Sequence, residues 1–475
     1  MILKQADDLL IDKKFGPNVQ RLLGNVILKH DSTWFYCDSA YLNNKVNTFN
    51  AYGHVHINMN DTLDIFGDSL NYDGKTRIGE IHESVRLIDK RATLTTDHLK
   101  FNRKTGIAYY HTGGTIVSED NTLTSRIGYY YTRTEQFFFK EDVVLVNPDY
   151  VMNSDTLVYH TVTEIAYFHG PTTIVGEEDH IYTEKGWYNT NIDKAHLTKN
   201  PSLTHNEQII EGDTIYYDGA SEFGEAFSNV VLTDTLQDVI VMGHYAQFDR
   251  QVGYAYVTDS TVAIMIDRTD SLYLHADTLK IFTDSAGQAE KMYAYYKVKF
   301  FREDLQGMCD SLTYTIADST LSLYKDPVLW SDQNQLTSDS IKIVYANKEI
   351  DSLVLYSNCF IASQDDSTTF NQIKGKNMVG YFSNNDLYKI TVSGNSQTIY
   401  FVREENGTLI GINKVTSSKM LIFIEDNDLK TITYIDMPKA TLYPEEEVPE
   451  NELRLKGFKW IEGRRPLSKH DIFIW

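Results

Sequence analysis

The sequence predicts an all-β repeat protein, an elongated β-jelly roll or solenoid whose open-edged sheets stack around an apolar interior. Three observations predict it. A short acidic motif recurs at steps of 29 residues over the first half of the chain. The residues after each copy alternate apolar and polar with a period of two, as a half-buried strand requires. Tyr (32) and Phe (22) are abundant and Pro (9) is scarce among the 475 residues, which favours pleated strands over linkers. Length alone would suggest two to four globular domains. A repeat chain escapes that prior, because each unit packs only on its neighbours.

The first element is the acidic motif. It reads "GDSLNYDGKT" from Gly67, "SDTLVYHTVT" from Ser154, "GDTIYYDGAS" from Gly212, "ADTLKIFTDS" from Ala276, "CDSLTYTIAD" from Cys309 and "SDSIKIVYAN" from Ser338. Its key position falls on Asp68, Asp97, Arg126, Asp155, Glu184 and Asp213, 29 residues apart each time, with "CDSAYL" placing Asp38 before them. The spacing then loosens through His244, Asp277, Asp310, Asp339, Lys376 and Ser418. The second element is a short turn followed by alternating apolar residues: "GNVIL" at Gly24, "GHVHI" at Gly53, "ESVRL" at Glu83, "EDVVL" at Glu141, "SNVVL" at Ser228 and "DPVLW" at Asp326. The two alternate from residue 24 to about 400, giving about 13 units of roughly 29 residues.

Each unit reads as two to three short strands joined by tight turns. Leu70 and Tyr72 alternate with Ser69 and Asn71, "YDGKT" supplies turn residues, and Val85 and Leu87 share one side of the next strand. Such a unit cannot bury its apolar side alone, so units must stack at the ~4.8 Å spacing of paired strands. The inner face then carries one row of Leu70, Leu99, Leu157, Ile215, Leu279, Leu312 and Ile341. A second row holds Val26, Val55, Val85, Val143, Val230, Val298 and Val328. Propeller blades of ~40–50 residues, calcium-binding GGxGxD rolls and leucine-rich LxxLxL repeats do not fit this pattern.

Three regions follow: residues 1–235, regular repeats; residues 236–443, less regular repeats, a second jelly roll or a continuation of the first; and residues 444–475, which break the pattern. In the last, "PEEEVPENE" from Pro444 reads as an acidic connector. Lys456, Lys459, Arg464, Arg465 and Lys469 around Trp460 read as a basic, aromatic cap over the last repeats, or as a dock for a partner or a phosphorylated lipid head group.

Composition and motifs exclude several function classes. A net charge of −22 argues against nucleic acid and against adsorption to an anionic membrane surface. No apolar run approaches the ~18–20 residues of a membrane span. Cys37, Cys309 and Cys359 form no CxxC pair and read as buried small residues without disulfides. No catalytic motif is present, and neither a cofactor nor a metal is expected. The 14 His, among them His54, His56 and His111, show no ligand spacing; the Asp series reads as strand-corner residues bonding nearby backbone rather than as a calcium ladder. "HTGGTIVS" at His111 sits at a repeat turn, not in a phosphate loop. The aromatics Tyr129–Tyr131 and Phe137–Phe139 read as core before ligand contact.

The ordered series resembles the OstA/LptA family of lipopolysaccharide-transport proteins, in particular the long OstA-like form of Bacteroidetes-type bacteria. Three stretches carry the resemblance: "ADDLLIDKKFGPNVQRLLGNVILKHDSTWFYCDSAYL" from Ala6, "GDSLNYDGKTRIGEIHESVRLID" from Gly67 and "LKGFKWIEGRRPLSKHDIF" from Leu455. The resemblance implies a twisted jelly roll, open along one edge, that shelters lipid acyl chains in an apolar trough. It implies stacking end to end on other OstA/LptA-fold components into a bridge towards the outer membrane. The groove candidates are then Val55, Leu70, Val85, Leu99, Val143, Leu157, Ile215, Val230, Leu279, Leu312 and Ile341. It further implies a periplasmic place, with an outer-membrane association, and a leader already removed ahead of Met1, since "MILKQADD" holds no apolar leader core. The competing readings are a cell-surface β-solenoid scaffold without lipid cargo and, behind it, a carbohydrate-active β-helix enzyme.

Overall fold

The structure is a computed structural model of the chain. It describes all residues except 12–15, 60–62, 90–91, 119–120, 267–269, 285–288, 347–348, 384–385, 405, 426–427, 445–448 and 450–451. Most of the acidic connector therefore lies outside the described residues. Among the described residues there are 36 β-strands, two 3-10 turns (Glu462–Arg464 and Asp471–Phe473) and no α-helix. The strands pair antiparallel, so the all-β repeat expected from the sequence is what forms. The chain divides into two compact units, Met1–Ala220 and Ser221–Trp475.

The strands are longer than the sequence suggests. In the first unit one copy is a pair of long strands, such as Leu63–Asp73 and Ile78–Ile88, followed by Thr93–Asn102 as the next. The hairpin turn is the "DGKT" segment. Asp73 Oδ1 accepts hydrogen bonds from the Lys75 and Thr76 N–H groups, and Arg77 closes the turn at φ +63°. Asn43, Asn102 and Asn189 open equivalent turns in the same way.

The second signature is not a turn between strands. It is a corner inside a strand. At Gly24-Asn25, Gly53-His54, Glu83-Ser84, Glu141-Asp142 and Ser228-Asn229, two consecutive residues adopt left-handed φ while the strand runs on. Pairing skips there, between His82 and Val85 for instance, and resumes on the far side. The strand bends, and its two halves enter two differently facing half-sheets.

The acidic series sits opposite these corners on the neighbouring strand. Asp38 accepts from or shares a proton with His54 Nδ1 at 2.7 Å. Asp7 accepts from Asn25 Nδ2 at 2.8 Å, and Asp339 from Asn358 Nδ2 at 3.0 Å. Lys325 meets Asp310 at 2.8 Å, and Glu184 takes Asn200 at 2.9 Å. Where the series carries Arg126 instead, the corner carries Glu141, and the pair closes at 3.1 Å with its charges exchanged. In these copies the acidic residue meets the corner of the next strand through a side chain. At Gly53 (φ +75°) a Cβ would lie 2.3 Å from Asp38 Oδ2, so a side chain there would have to displace the Asp38 carboxylate.

Candidate functional site

The corner explains how the two apolar rows become one interior. On the acidic strands the phase of burial changes there: Leu94 and Thr96 face inward before Asp97, and Leu99 and Phe101 after it. The Leu row follows the acidic residue by two, and the Val row follows the corner dipeptide by one. The rows therefore fall on opposite half-sheets. Leu70 pairs with Ala51 and Ile81, while Val55 pairs with Gly67 and Val85 with Thr96. The candidates Val55, Leu70, Val85, Leu99, Val143, Leu157, Ile215, Val230, Leu279, Leu312 and Ile341 are all inward and at most 2% exposed.

Val328 departs from the expected row. The corner dipeptide there is Lys325-Asp326, so Pro327 takes the inward position and Val328 points out. It is nevertheless buried, together with Met308 and Trp330, because the C-terminal segment covers them through Ile461. The same segment inserts Leu455 against Phe360, Ala362, Ile399, Phe401 and Ile412.

Four buried polar side chains fasten this cover, three through its backbone and one through the Arg465 side chain. Gln335 donates to the Lys459 carbonyl at 2.7 Å and accepts from Ile461 N–H at 2.7 Å. Gln372 does the same with Leu453 and Leu455. Lys299 donates to the carbonyls of Arg464 and Ile474, and Gln306 accepts from Arg465 Nε at 2.9 Å. Burial is the main cause that lowers the Lys299 ammonium from its ordinary value. The basic, aromatic tail is thus a cap on the outer face of a half-sheet in the second unit, and it leaves the inner rows untouched. Its signal in the sequence is the loss of alternation in "KVKFF", "PVLW" and "TIYFV", where both faces of a strand are apolar.

The remaining sequence candidates fall into place around the interior. Tyr130, Phe137 and Phe139 are buried; Tyr130 and Phe137 stack at 4.3 Å. Tyr129 and Phe138 lie on the other face. Tyr110 is buried with its hydroxyl on Ser125 Oγ at 2.6 Å, over Gly114 and Gly128, where a Cβ would strike the ring. "HTGG" forms a corner, and beside it opens a cleft of about 1160 Å3 lined by Phe66, Arg86, Thr95, Thr115, Thr124 and Arg126. That cleft lies on the outer face, since Leu87, Leu94, Ile116 and Leu123 point the opposite way into the core. His56 bonds Asp64 at 2.7 Å and stacks on Phe66. The three thiols are buried and free, and burial pushes each up to about 12.

The strand series begins and finishes in short strands. Ile2–Gln5 and Asp8–Ile11 pair with Val19–His30, and Asp428–Ile435 and Lys439–Tyr443 pair with Leu409–Glu425. Leu9, Leu10 and Ile11 are about half exposed or more on the first of these edges, and Leu442 on the second. Among the described residues, no helix is long and apolar enough to cross a membrane.

Residues 1–155 match the family described as OstA-like protein, and residues 266–350 match the family described as LptA/(LptD N-terminal domain) LPS transport protein. No curated protein matches the chain. Among solved structures, it is similar to LptH, the LptA-homologous periplasmic component of the lipopolysaccharide transport device of Pseudomonas aeruginosa. The identity is 13% over 25% of this chain and 83% of that one, with a TM-score of 0.22.

Proposed function

We propose, from the premise that this chain is a protein of the OstA/LptA family of lipopolysaccharide transport, that it shelters lipid acyl chains between its two half-sheets and helps bridge to the outer membrane from the periplasm. The observation that carries the reading is the pair of inner rows. Inward Leu, Val and Ile recur at equivalent places in copy after copy, on two faces that meet at the corner and nowhere else along a strand. Each strand is continuous through its corner, so the covalent chain closes that side. The described far ends of the halves are hairpin turns, such as Asp73–Arg77, which can part. Lipid entry there exchanges side-chain contacts for acyl contacts, at roughly 0.8 kcal/mol per CH2 removed from water. Because the rows repeat, cargo meets similar surroundings at successive positions, as sliding transport requires. No catalytic group is needed, and the protein works as a carrier rather than an enzyme. The exposed strand edges at the two ends offer backbone donors and acceptors to other OstA/LptA-fold components.

Site-specific diazirine crosslinking tests this. Diazirine amino acids replace Leu157 and Ile215, both inward, and Val158, which lies on the outer face, in cells making lipopolysaccharide. Crosslinks to lipopolysaccharide at Leu157 and Ile215 and none at Val158 are expected. Folded protein that gives no adduct at either inner position would sink the carrier reading and leave a lipid-free scaffold.

A further inference from the structure

One stretch of the first unit breaks the repeat on its outer face. The register sets His82 of strand Ile78–Ile88 directly opposite His98 of strand Thr93–Asn102. At the corresponding place, neighbouring copies oppose Tyr52 to Ser69 and Lys140 to Thr156. The two imidazoles lie with ring centroids 4.6 Å apart, and His111, in the bend that follows strand Ile107–Tyr110, stands edge-on to His98 at 5.4 Å. Glu80 is two residues before His82 and so shares its face. Ligand atoms of Glu80, His82 and His98 all lie within 4.8 Å of one another.

We propose that Glu80, His82 and His98 form a binding site for a divalent transition-metal ion of the Zn2+ type. Two imidazoles and a carboxylate suit such an ion, whereas Ca2+ and Mg2+ favour oxygen alone. Tetrahedral ligands at ~2.0–2.1 Å from the metal stand roughly 3.4 Å apart, so small side-chain rotations close the site. His98 Nδ1 is buried with no hydrogen-bond partner, a lone ring atom that a purely structural histidine would satisfy. Glu80 gives one oxygen, Oε1, to Lys100 at 2.8 Å and keeps the other for the ion. A bound ion would clip two strands together beside the Glu83-Ser84 corner. Because it binds only the folded register, it would stabilise the fold by mass action. Sequence spacing does not reveal the site, because the ligands are brought together by pairing and not by a motif.

The test uses the full chain freed of metal with chelator and titrated with Zn2+ by calorimetry and with Co2+ by visible absorption. One saturable site per chain is expected, with tetrahedral Co2+ bands and a rise in Tm on adding Zn2+. His82→Gln and His98→Gln each abolish all three, while His54→Gln, an exposed histidine elsewhere in the same unit, keeps them. Circular dichroism and the metal-free melt of each variant establish that it folds; if His98→Gln does not, His82→Gln and Glu80→Gln decide. Zn2+ binding by folded His82→Gln equal to that of the wild type overturns the proposal, as does a folded wild type with no saturable site.

Discussion

The inward residue just before each acidic position is small in copy after copy: Cys37, Gly67, Thr96, Ser125, Ser154, Thr183, Gly243, Ala276, Cys309, Ser338 and Gly375. The reason is steric. A Cβ at Gly67 would lie 2.4 Å from Ile81 Cγ2, and at Gly375 2.4 Å from Val392 Cγ1, because the large residue before the facing corner folds over this place. Where the residue has a hydroxyl, it donates to the carbonyl two residues on, as Thr183 does to Lys185 at 2.8 Å and Ser338 to Ser340 at 2.8 Å, bridging the break in the ladder. Cys37 and Cys309 occupy this small, dry position, and Cys359 takes the place of a Val beside a corner. Their conservatively hydrophobic setting predicts inert thiols. Unfolded thiols ionise near 9.0, but the folded ones are held protonated up to about 12 by burial. Above pH 9.0 the unfolded chain therefore releases protons that the folded chain keeps. The stability is fully present below that pH and declines as pH rises towards the folded value. The expected result is that a disulfide reagent at about pH 8 labels none of the three until denaturant is added, and that a Cys37→Ser, Cys309→Ser, Cys359→Ser chain loses stability less steeply with rising pH in urea titrations.

At the scale of the strand, the repeat, the alternation and the inner Leu row are legible in the sequence because each depends on local period. The corner is not. Two left-handed residues flanked by alternating apolar positions read as a turn between strands, since Gly, Asn, Asp and Ser serve both. Only pairing on both sides of Glu83-Ser84 shows one strand bent rather than two strands joined. The Val328 misplacement has the same origin: an extra inward residue, Pro327, shifts the phase after the Lys325-Asp326 corner. The sequence leaves the tail open between a cap and a dock and hides the face it lies on, because Gln306, Gln335 and Gln372 look like ordinary outward polar residues. They are 1–3% exposed only because the tail lies on them. Removing residues 452–475 uncovers Met308, Trp330, Phe360 and Phe401 and strands those amides without partners. Leu455 and Ile472, each deeply buried, alone account for about 3–6 kcal/mol of burial. The truncated chain is expected to melt lower and to bind a hydrophobic dye in its native baseline, whereas lipid crosslinking at Leu157, in the other unit, persists.

At the scale of the whole molecule, a repeat of paired strands has a problem that a closed core lacks, namely what happens at its two ends. Exposed edges invite pairing, and proteins that must avoid it place charges or proline there. The N-terminal edge strand Asp8–Ile11 instead presents Leu9, Leu10 and Ile11 at 47%, 49% and 66% exposure. The chain's net charge of −22 opposes indiscriminate association between copies, so such an edge is suited to a selected partner of matching strand register. The prediction separates the two parts of the proposed function. Leu9→Lys with Ile11→Lys adds charge where the side chains already meet solvent, so the fold and the inner rows are left intact. Binding to an OstA/LptA-fold partner, measured by surface immobilisation of the double variant beside the wild type, is expected to fall at least tenfold, roughly 1.4 kcal/mol. Lipid adducts at Leu157 and Ile215 in the isolated protein are expected to stay. Equal partner binding by both chains would remove the N-terminal edge from the bridge and move the search to Lys439–Tyr443, the last strand of the second unit.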